Sequence, residues 1–346
     1  MAVEDLSLRA GHPARWWRPL ENGRVHCELC PRDCRPGPGQ PGFCLVRRNE
    51  GGALVTDAWN AGTGFAADPV EKKPLYHVRP GSRVLSFGTA GCNLACAHCQ
   101  NWSMSQSRAA LRRMERATPE MILRAARVQG CAGLAFTYNE PVIFGEFAIA
   151  CALAAHQAGL YTVMVSNGYV RLQAAREIFA GIDAANIDLK SMRDGFYRRL
   201  ARGRLQPVLD FLVWLRRETK VWLELTTLLI PGHNDGEDEL AELCRWVAGE
   251  LGPHTPLHLT AFHPDHRLQE VPRTPGDTLL RSRAIALRAG LQHVYLGNLP
   301  LAEGRDTNCS ACGRLLVERP GWGETRVQAR GGACPGCGAA APGLWQ

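Results

Sequence analysis

The chain has 346 residues, enough for one large barrel with appendages or for two average domains. A hydrophobic content of 45% permits an ordinary core, and a formal charge of +7 permits an acidic partner without requiring one. The N-terminal residues show no apolar stretch and nowhere do about 18 apolar residues run together, so neither a signal peptide nor a membrane span is expected and the location is read as cytoplasmic. Fourteen cysteines in such a chain point to metal, because a reducing compartment keeps thiols free. Eleven of them fall into three clusters, while Cys131, Cys151 and Cys244 sit in apolar or helical patterns and read as core residues.

In chain order, residues 1–82 form a loop-rich extension carrying Cys27, Cys30, Cys34 and Cys44 at C-x2-C-x3-C-x9-C spacing. The string PRDCRPGPGQPG cannot bury enough apolar surface alone, so a metal is expected to order it. Four thiolates close a coordination shell, which fits a structural zinc or an auxiliary 4Fe-4S cluster; the short rhythm leans towards iron.

Residues 83–304 alternate apolar, β-branched runs with amphipathic stretches, the rhythm of an α/β fold with a parallel sheet. Strands are expected at 84–90, 133–139, 161–167, 184–190, 220–230 and 256–262, with a short seventh at 293–298. Helices are expected at 119–129, opened by Thr118 and Pro119, at 142–158, ending near Gly159, and at 171–180, ending at Gly181. The first strand runs into GTAGCNLACAHCQNW, where Cys92, Cys96 and Cys99 stand at C-x3-C-x2-C spacing. Three thiolates leave one iron of a 4Fe-4S cubane bare, and a bare iron can bind a substrate where a fully ligated cluster only passes electrons. A zinc site or a disulfide pair is the plain alternative, and a fourth nearby cysteine is missing for the first.

Ligands of parallel βα folds gather at the carboxyl ends of the strands. Those ends carry Asn139 and Glu140, then Ser166 and Asn167, then Asp188 and Lys190 on one face, then His263. The turn LLIPGHND brings His233, Asn234 and Asp235, with Asp235 read as a helix cap. Arg193, Arg198, Arg199, Arg202 and Arg204 are a cluster suited either to an acidic substrate or to a solvated face. Residues 305–346 hold Cys309, Cys312, Cys334 and Cys337 as two C-x2-C knuckles, each followed by glycine, a zinc-ribbon pattern with a rubredoxin-like iron site as its alternative.

The three-cysteine loop resembles that of the radical S-adenosylmethionine (SAM) superfamily. The resemblance implies a partial (β/α)6 barrel and a 4Fe-4S cluster on Cys92, Cys96 and Cys99 whose open iron chelates SAM. It also implies reductive cleavage of SAM to methionine and a 5′-deoxyadenosyl radical that takes hydrogen from a substrate. Glu140 takes the place of the family's GGE-type motif, which with Asn139 is expected to hold the ammonium of SAM. Ser166, Asn167, Asp188, Lys190 and His263 are expected around its ribose and carboxylate, the Asp-Leu-Lys triplet and His263 resembling glycyl-radical activating enzymes. His98 stands where a large aromatic usually packs on the adenine.

More narrowly, CELCPRDC…GFCLVR, DPVEKKPLYHVRPGSRVLSFGTAGCNLACAHCQNWSMSQ, FTYNEP, NIDLKS, AFHPD, YLGN and NCSACG…CPGCG…PGLW resemble the radical enzyme of the AmmeMemoRadiSam system over roughly residues 24 to 346. This implies Memo-type and Amme-type companion proteins without fixing the substrate; the electron that starts cleavage is expected from reduced flavodoxin or ferredoxin. A protein, an RNA or a small metabolite each fits this chemistry, and a non-catalytic metal-binding adaptor is the rival of a different class.

Overall fold

The computed structural model describes residues 11–321 and 323–345. They fold into a mixed α/β architecture divided between two compact units, one taking the chain up to Ala67 with Val84–Asp183 and Leu200–Gly203, the other Asp68–Arg83, Ala184–Arg199 and the chain from Arg204 onward. This partition cuts across divisions at residues 82 and 304, because each unit joins a run of parallel strands to one cysteine module.

In the first unit, strands β1 (Arg83–Gly88), β2 (Gly133–Phe136) and β3 (Tyr161–Ser166) pair in parallel, with Val84 and Tyr161 both opposite Gly133. Each is followed by a helix: α1 (Pro119–Val128), α2 (Gly145–Gln157) and α3 (Leu172–Ile178). The strands are buried along nearly their whole length, as strands covered on both faces must be. Thr118 caps α1, its hydroxyl accepting from the Met121 N–H at 3.4 Å, with Pro119 at the first helical position. Phe87 packs edge-on against Phe136 and Phe147 at ring separations of 5.5 and 6.0 Å, an aromatic centre from which the strand ends are hung.

The N-terminal module belongs to this unit. Its short strands Trp17–Pro19 and Val25–Cys27 pair antiparallel, as do Arg47–Glu50 and Ala53–Thr56. It is fastened to α2 by a buried ion pair in which Arg47 Nη1 donates to both carboxylate oxygens of Glu146 at 2.9 Å. Arg47 Nη2 donates to the Arg15 carbonyl at 2.6 Å, and the Arg15 N–H donates to Glu146 at 2.7 Å.

In the second unit, β4 (Ala184–Asp188), β5 (Trp222–Leu229), β6 (Leu257–Ala261) and β7 (Val294–Gly297) pair in parallel and in sequence. Helices α4 (Gln206–Glu218), α5 (Glu237–Trp246) and α6 (Gly276–Arg288) follow β4, β5 and β6; the strands of both units stand where the apolar rhythm predicts them, and these three helices complete the strand–helix alternation.

Glu224, fully buried near the start of β5, organises the opposite end of these strands from their carboxyl termini. It accepts from the Tyr76 and His77 N–H groups at 3.0 and 2.8 Å and lies 2.7 Å from His258 Nε2. From His77 the network continues to Tyr295 (2.6 Å) and Thr307 (2.9 Å), and Arg319 donates to Thr307 and to the Tyr76 carbonyl. Burial alone would raise the Glu224 carboxyl, but the His258 bond and its other partners hold it below the usual range. The same burial keeps His77 neutral down to about 4 and His293 down to about 3. This polar chain ties the C-terminal module to the strands, its last described residues pairing back through Leu344 N–H to the His77 carbonyl. No helix among the described residues is long and apolar enough to cross a membrane.

Candidate active site and metal centres

The cysteine loop leaves β1 through Gly88-Thr89-Ala90-Gly91, and two glycines set its path. A Cβ on Gly88 would lie 2.6 Å from the Asn139 amide oxygen and the Thr137 carbonyl; one on Gly91, at φ +89°, would lie 1.9 Å from the Cys44 carbonyl. Asn139 fixes the loop from the end of β2. Its amide nitrogen donates to Thr89 Oγ1 (3.0 Å) and the Gly91 carbonyl (2.9 Å), and its oxygen accepts from the Thr89 N–H at 3.1 Å. Both donors of this side chain are thus directed at the loop. Farther on, the Ala95 and Ala97 N–H groups bond the carbonyls of Ala201 and Leu200.

Cys92, Cys96 and Cys99 are each half-buried. The Cys92 sulfur accepts from the Leu94 N–H at 3.3 Å and from Asn167 Nδ2 at 3.7 Å, and Cys99 lies 3.2 Å from the Ser105 hydroxyl. Such contacts tune a thiolate–iron cluster through charge on its sulfurs. Burial, followed by the nearby Glu140 carboxylate, pushes the Cys92 thiol well above its usual range, so loading a metal here expels a proton.

Glu140 lies four residues past the end of β2, which is shorter than the expected 133–139, and is 1% exposed. It accepts from Ser166 Oγ at 2.7 Å, the Asn167 N–H at 2.8 Å and the Val142 N–H at 3.0 Å. Asn167 then donates to Asn93 Oδ1 at 2.9 Å, closing a path from the carboxylate to the cysteine loop. The structure therefore brings Cys92, Asn139, Glu140, Ser166 and Asn167 together. A buried carboxylate beside three thiol ligands favours a cationic amino group on any molecule that reaches the cluster. His98 is 5% exposed within the same loop.

The remaining candidates belong to the second unit. Lys190 Nζ bonds Asp188 Oδ2 at 2.7 Å beyond the end of β4, and His263 follows β6, half-buried. Asn234 ties two strand ends together: it donates to the carbonyls of Lys190 (2.7 Å), beyond β4, and Leu228 (2.9 Å), in β5, and accepts from the Ile230 N–H (2.7 Å). Asp235 does not cap α5. Its carboxylate closes the turn on the Gly232 N–H at 2.8 Å, and Gly236 stands at the cap position without a side-chain bond. Two arginines of the cluster are paired locally: Arg193 with Glu242 at 2.6 Å and Arg198 with Asp194.

The C-terminal thiols are gathered tightly, their ligand atoms all within 4.8 Å of one another. Cys309 and Cys337 sulfurs lie 3.7 Å apart and Cys312 and Cys334 sulfurs 3.6 Å. A tetrahedral ion with metal–sulfur bonds of about 2.3 Å needs edges of about 3.8 Å, so the donor set fits a single zinc-sized ion. The two knuckles are copies: Gly313 and Gly338, both at positive φ, donate to the carbonyls of Cys309 and Cys334 at 2.8 and 2.9 Å. The N-terminal four, three of them buried and Cys34 half-buried, line one small apolar cavity with Leu29, Pro36, Phe43, Leu54 and Ile143. Cys131, Cys151 and Cys244 are buried, as their apolar settings predict.

Comparison with known proteins agrees with this site. A family profile described as Radical SAM superfamily matches residues 87–244. An uncharacterized protein of Methanocaldococcus jannaschii is 39% identical over 306 residues, covering 88% of this chain and 91% of that protein. The pyruvate formate-lyase 1-activating enzyme of Escherichia coli strain K12 is 24% identical over 191 residues, covering 53% of this chain and 75% of the enzyme. Among solved structures, Streptococcus suis SuiB bound to S-adenosylmethionine aligns with a TM-score of 0.50 at 12% identity, over 70% of this chain and 56% of that one, a likeness of fold alone. The matched span opens at the end of β1, takes in all three loop cysteines and Glu140, and closes in α5; with these relatives, it makes the chain a member of the radical SAM superfamily, among its activating-enzyme-like enzymes.

Proposed function

We propose that the protein cleaves S-adenosylmethionine reductively at Cys92, Cys96 and Cys99 and uses the resulting 5′-deoxyadenosyl radical to abstract hydrogen from a protein substrate. The observation that carries this reading is the placement of the buried Glu140 carboxylate, with Ser166 and Asn167 fixed upon it, against a loop that offers three thiols and no fourth. The 4Fe-4S cluster, when bound, supplies the single electron and the open iron for the amino acid end of SAM. Glu140 then orients the ammonium by accepting its hydrogen bonds, while Asn139 keeps the loop in shape. Asp188, Lys190 and His263, at the ends of β4 and β6, are assigned to the carboxylate and ribose, and His98 to the adenine.

The +7 charge and the C-terminal cysteine module keep RNA open as the alternative; a protein substrate is favoured because two of the five arginines that RNA would engage, Arg193 and Arg198, are paired with Glu242 and Asp194. The resemblance to the AmmeMemoRadiSam radical enzyme supports Memo-type and Amme-type companions, and the paired C-x2-C knuckles with sulfurs 3.6–3.7 Å apart support zinc in the Cys309 module; reduced flavodoxin or ferredoxin is proposed as the donor, in a cytoplasmic setting. The three-part division at 82 and 304 is retained as the functional one. The test is anaerobic reconstitution with iron and sulfide, followed by dithionite and SAM. Formation of 5′-deoxyadenosine that is lost in Cys96→Ala supports the cleavage, and stimulation by a Memo-type or Amme-type protein but not by RNA supports the substrate class. No nucleoside, or equal amounts from the variant, overturns the reading.

A further inference from the structure

The N-terminal cysteines differ from the C-terminal ones in three ways. They line one small cavity without being drawn to single-ion spacing: among the described residues, only the C-terminal sulfurs are gathered within 4.8 Å of one another. A four-iron cubane gives each thiolate its own iron and so needs a wider sulfur cage than one ion does. The C-x2-C-x3-C rhythm is also that of ferredoxin-like runs rather than of paired knuckles.

The third difference is position. The Cys44 carbonyl packs so closely on Gly91 that no side chain fits there, and Gly91 immediately precedes Cys92. Asn93, immediately after Cys92, lines the N-terminal cavity itself and accepts on its carbonyl a bond of 2.6 Å from Arg32 Nε. Arg32 in turn lies over the Phe43 ring at 3.7 Å, next to Cys44 in sequence. One non-bonded contact therefore separates a residue carrying a ligand of one site from the neighbour of a ligand of the other. Cys34 is only half-buried and Phe43 is 41% exposed, so part of the cavity wall faces solvent.

We propose that Cys27, Cys30, Cys34 and Cys44 hold a second 4Fe-4S cluster, and that it relays the reducing electron inward to the Cys92 site, an inference that rests on the radical SAM reading above. A low-potential one-electron protein donor reduces the outer cluster at its Cys34 edge. The outer cluster is reoxidised as one electron crosses the Cys44–Gly91 contact, and the inner cluster is reduced by that electron; no proton or atom moves.

Two preparations test this. In Cys92→Ala/Cys96→Ala/Cys99→Ala, about four iron and four sulfide per chain and a dithionite-dependent paramagnetic signal are expected to remain; zinc without sulfide overturns the proposal. In Cys27→Ala/Cys30→Ala, reduction of the remaining cluster by reduced flavodoxin is expected to slow at least about tenfold, by roughly 1.4 kcal/mol or more in activation free energy, while its rate with dithionite stays within twofold. Equal slowing with both reductants, or none with flavodoxin, overturns the relay. The fully reduced wild-type protein provides a check that needs no N-terminal variant: its paramagnetic spectrum should be broadened by coupling between two neighbouring clusters, and a spectrum of one isolated cluster contradicts the proposal. Failure of SAM cleavage with dithionite in the wild type would instead strike the function proposed above and leave the metal content of the first preparation to stand or fall by itself.

Discussion

Replacing Arg47 by Met removes the charge that holds the N-terminal module to α2, and the structure sets the cost. The side chains of Arg47 and Glu146 are 1% and 4% exposed, with two bonds of 2.9 Å between them. Burial alone would lower the Arg47 guanidinium, but Glu146 more than reverses this and holds it above its ordinary value, as expected of a cation secured by its partner. Truncation leaves Glu146 with the Arg15 N–H but without its cation, and stranding one member of a buried pair costs about 3–5 kcal/mol. For a unit of about 170 residues that corresponds to a fall of about 6–20 °C in the midpoint of its transition. The double variant Arg47→Met/Glu146→Leu should recover most of the loss, because replacing both charges by apolar groups is often near neutral. Anaerobic thermal denaturation of the three proteins, followed by circular dichroism, measures the difference. A loss below about 1 kcal/mol in Arg47→Met, the value of an exposed pair, or a double variant no better than the single, would refute the reasoning.

Other outcomes follow from the same geometry. Asn139→Ala removes three bonds to the loop, worth about 3 kcal/mol together; iron bound at the Cys92 site should fall sharply while zinc in the C-terminal module is unchanged. Gly91→Ala should abolish cluster assembly at Cys92, because its Cβ meets the Cys44 carbonyl backbone, and metal analysis of the purified variant checks this. Cys334→Ser should release about one zinc per chain, measured with a chromogenic chelator, and leave the iron content unaltered.

The pH dependence of stability has a definite sign. His77 and His293 stay neutral in the fold down to about 4 and 3, mainly through burial, whereas unfolded histidine titrates near 6.5. Below about pH 6.5 the unfolded chain therefore binds protons that the folded chain refuses, and stability falls by up to about 1.4 kcal/mol per pH unit for each histidine. Urea unfolding between pH 7.5 and 5.5 should show a shallower fall in His293→Gln than in the wild type; an equal or steeper fall contradicts the assignment.

The strands and the gathering of the C-terminal cysteines were legible in sequence because both are local patterns. Apolar runs such as GLAF and YTVMVS mark strands buried on both faces, and C-x2-C-Gly knuckles carry their own turn geometry. Glu140 was legible for the same reason, as an acidic residue shortly beyond a strand end. What escaped depends on long-range pairing. Arg47 and Glu146 are 99 residues apart, and each reads alone as an ordinary surface charge until the fold buries both. Glu224 lies inside an apolar strand whose partners come from residues 76, 77 and 258, so its burial cannot be inferred from WLELTTLL. Asp235 misled because a carboxylate before a helix can either cap it or close the preceding turn, and Gly232, at φ +74°, made the turn the nearer partner. The grouping of the N-terminal cysteines in one compact unit with β1 to β3 was hidden too, since it depends on contacts far apart in sequence.

The central claim is an iron left open beside Glu140, and magnetic resonance of the reduced protein tests it most directly. With SAM carrying nitrogen-15 at its amino group, the signal of the Cys92 cluster should shift and show a hyperfine coupling to that nitrogen, lost in Cys96→Ala. An unshifted signal with no nitrogen coupling, from protein shown to hold the reduced cluster, would contradict the account.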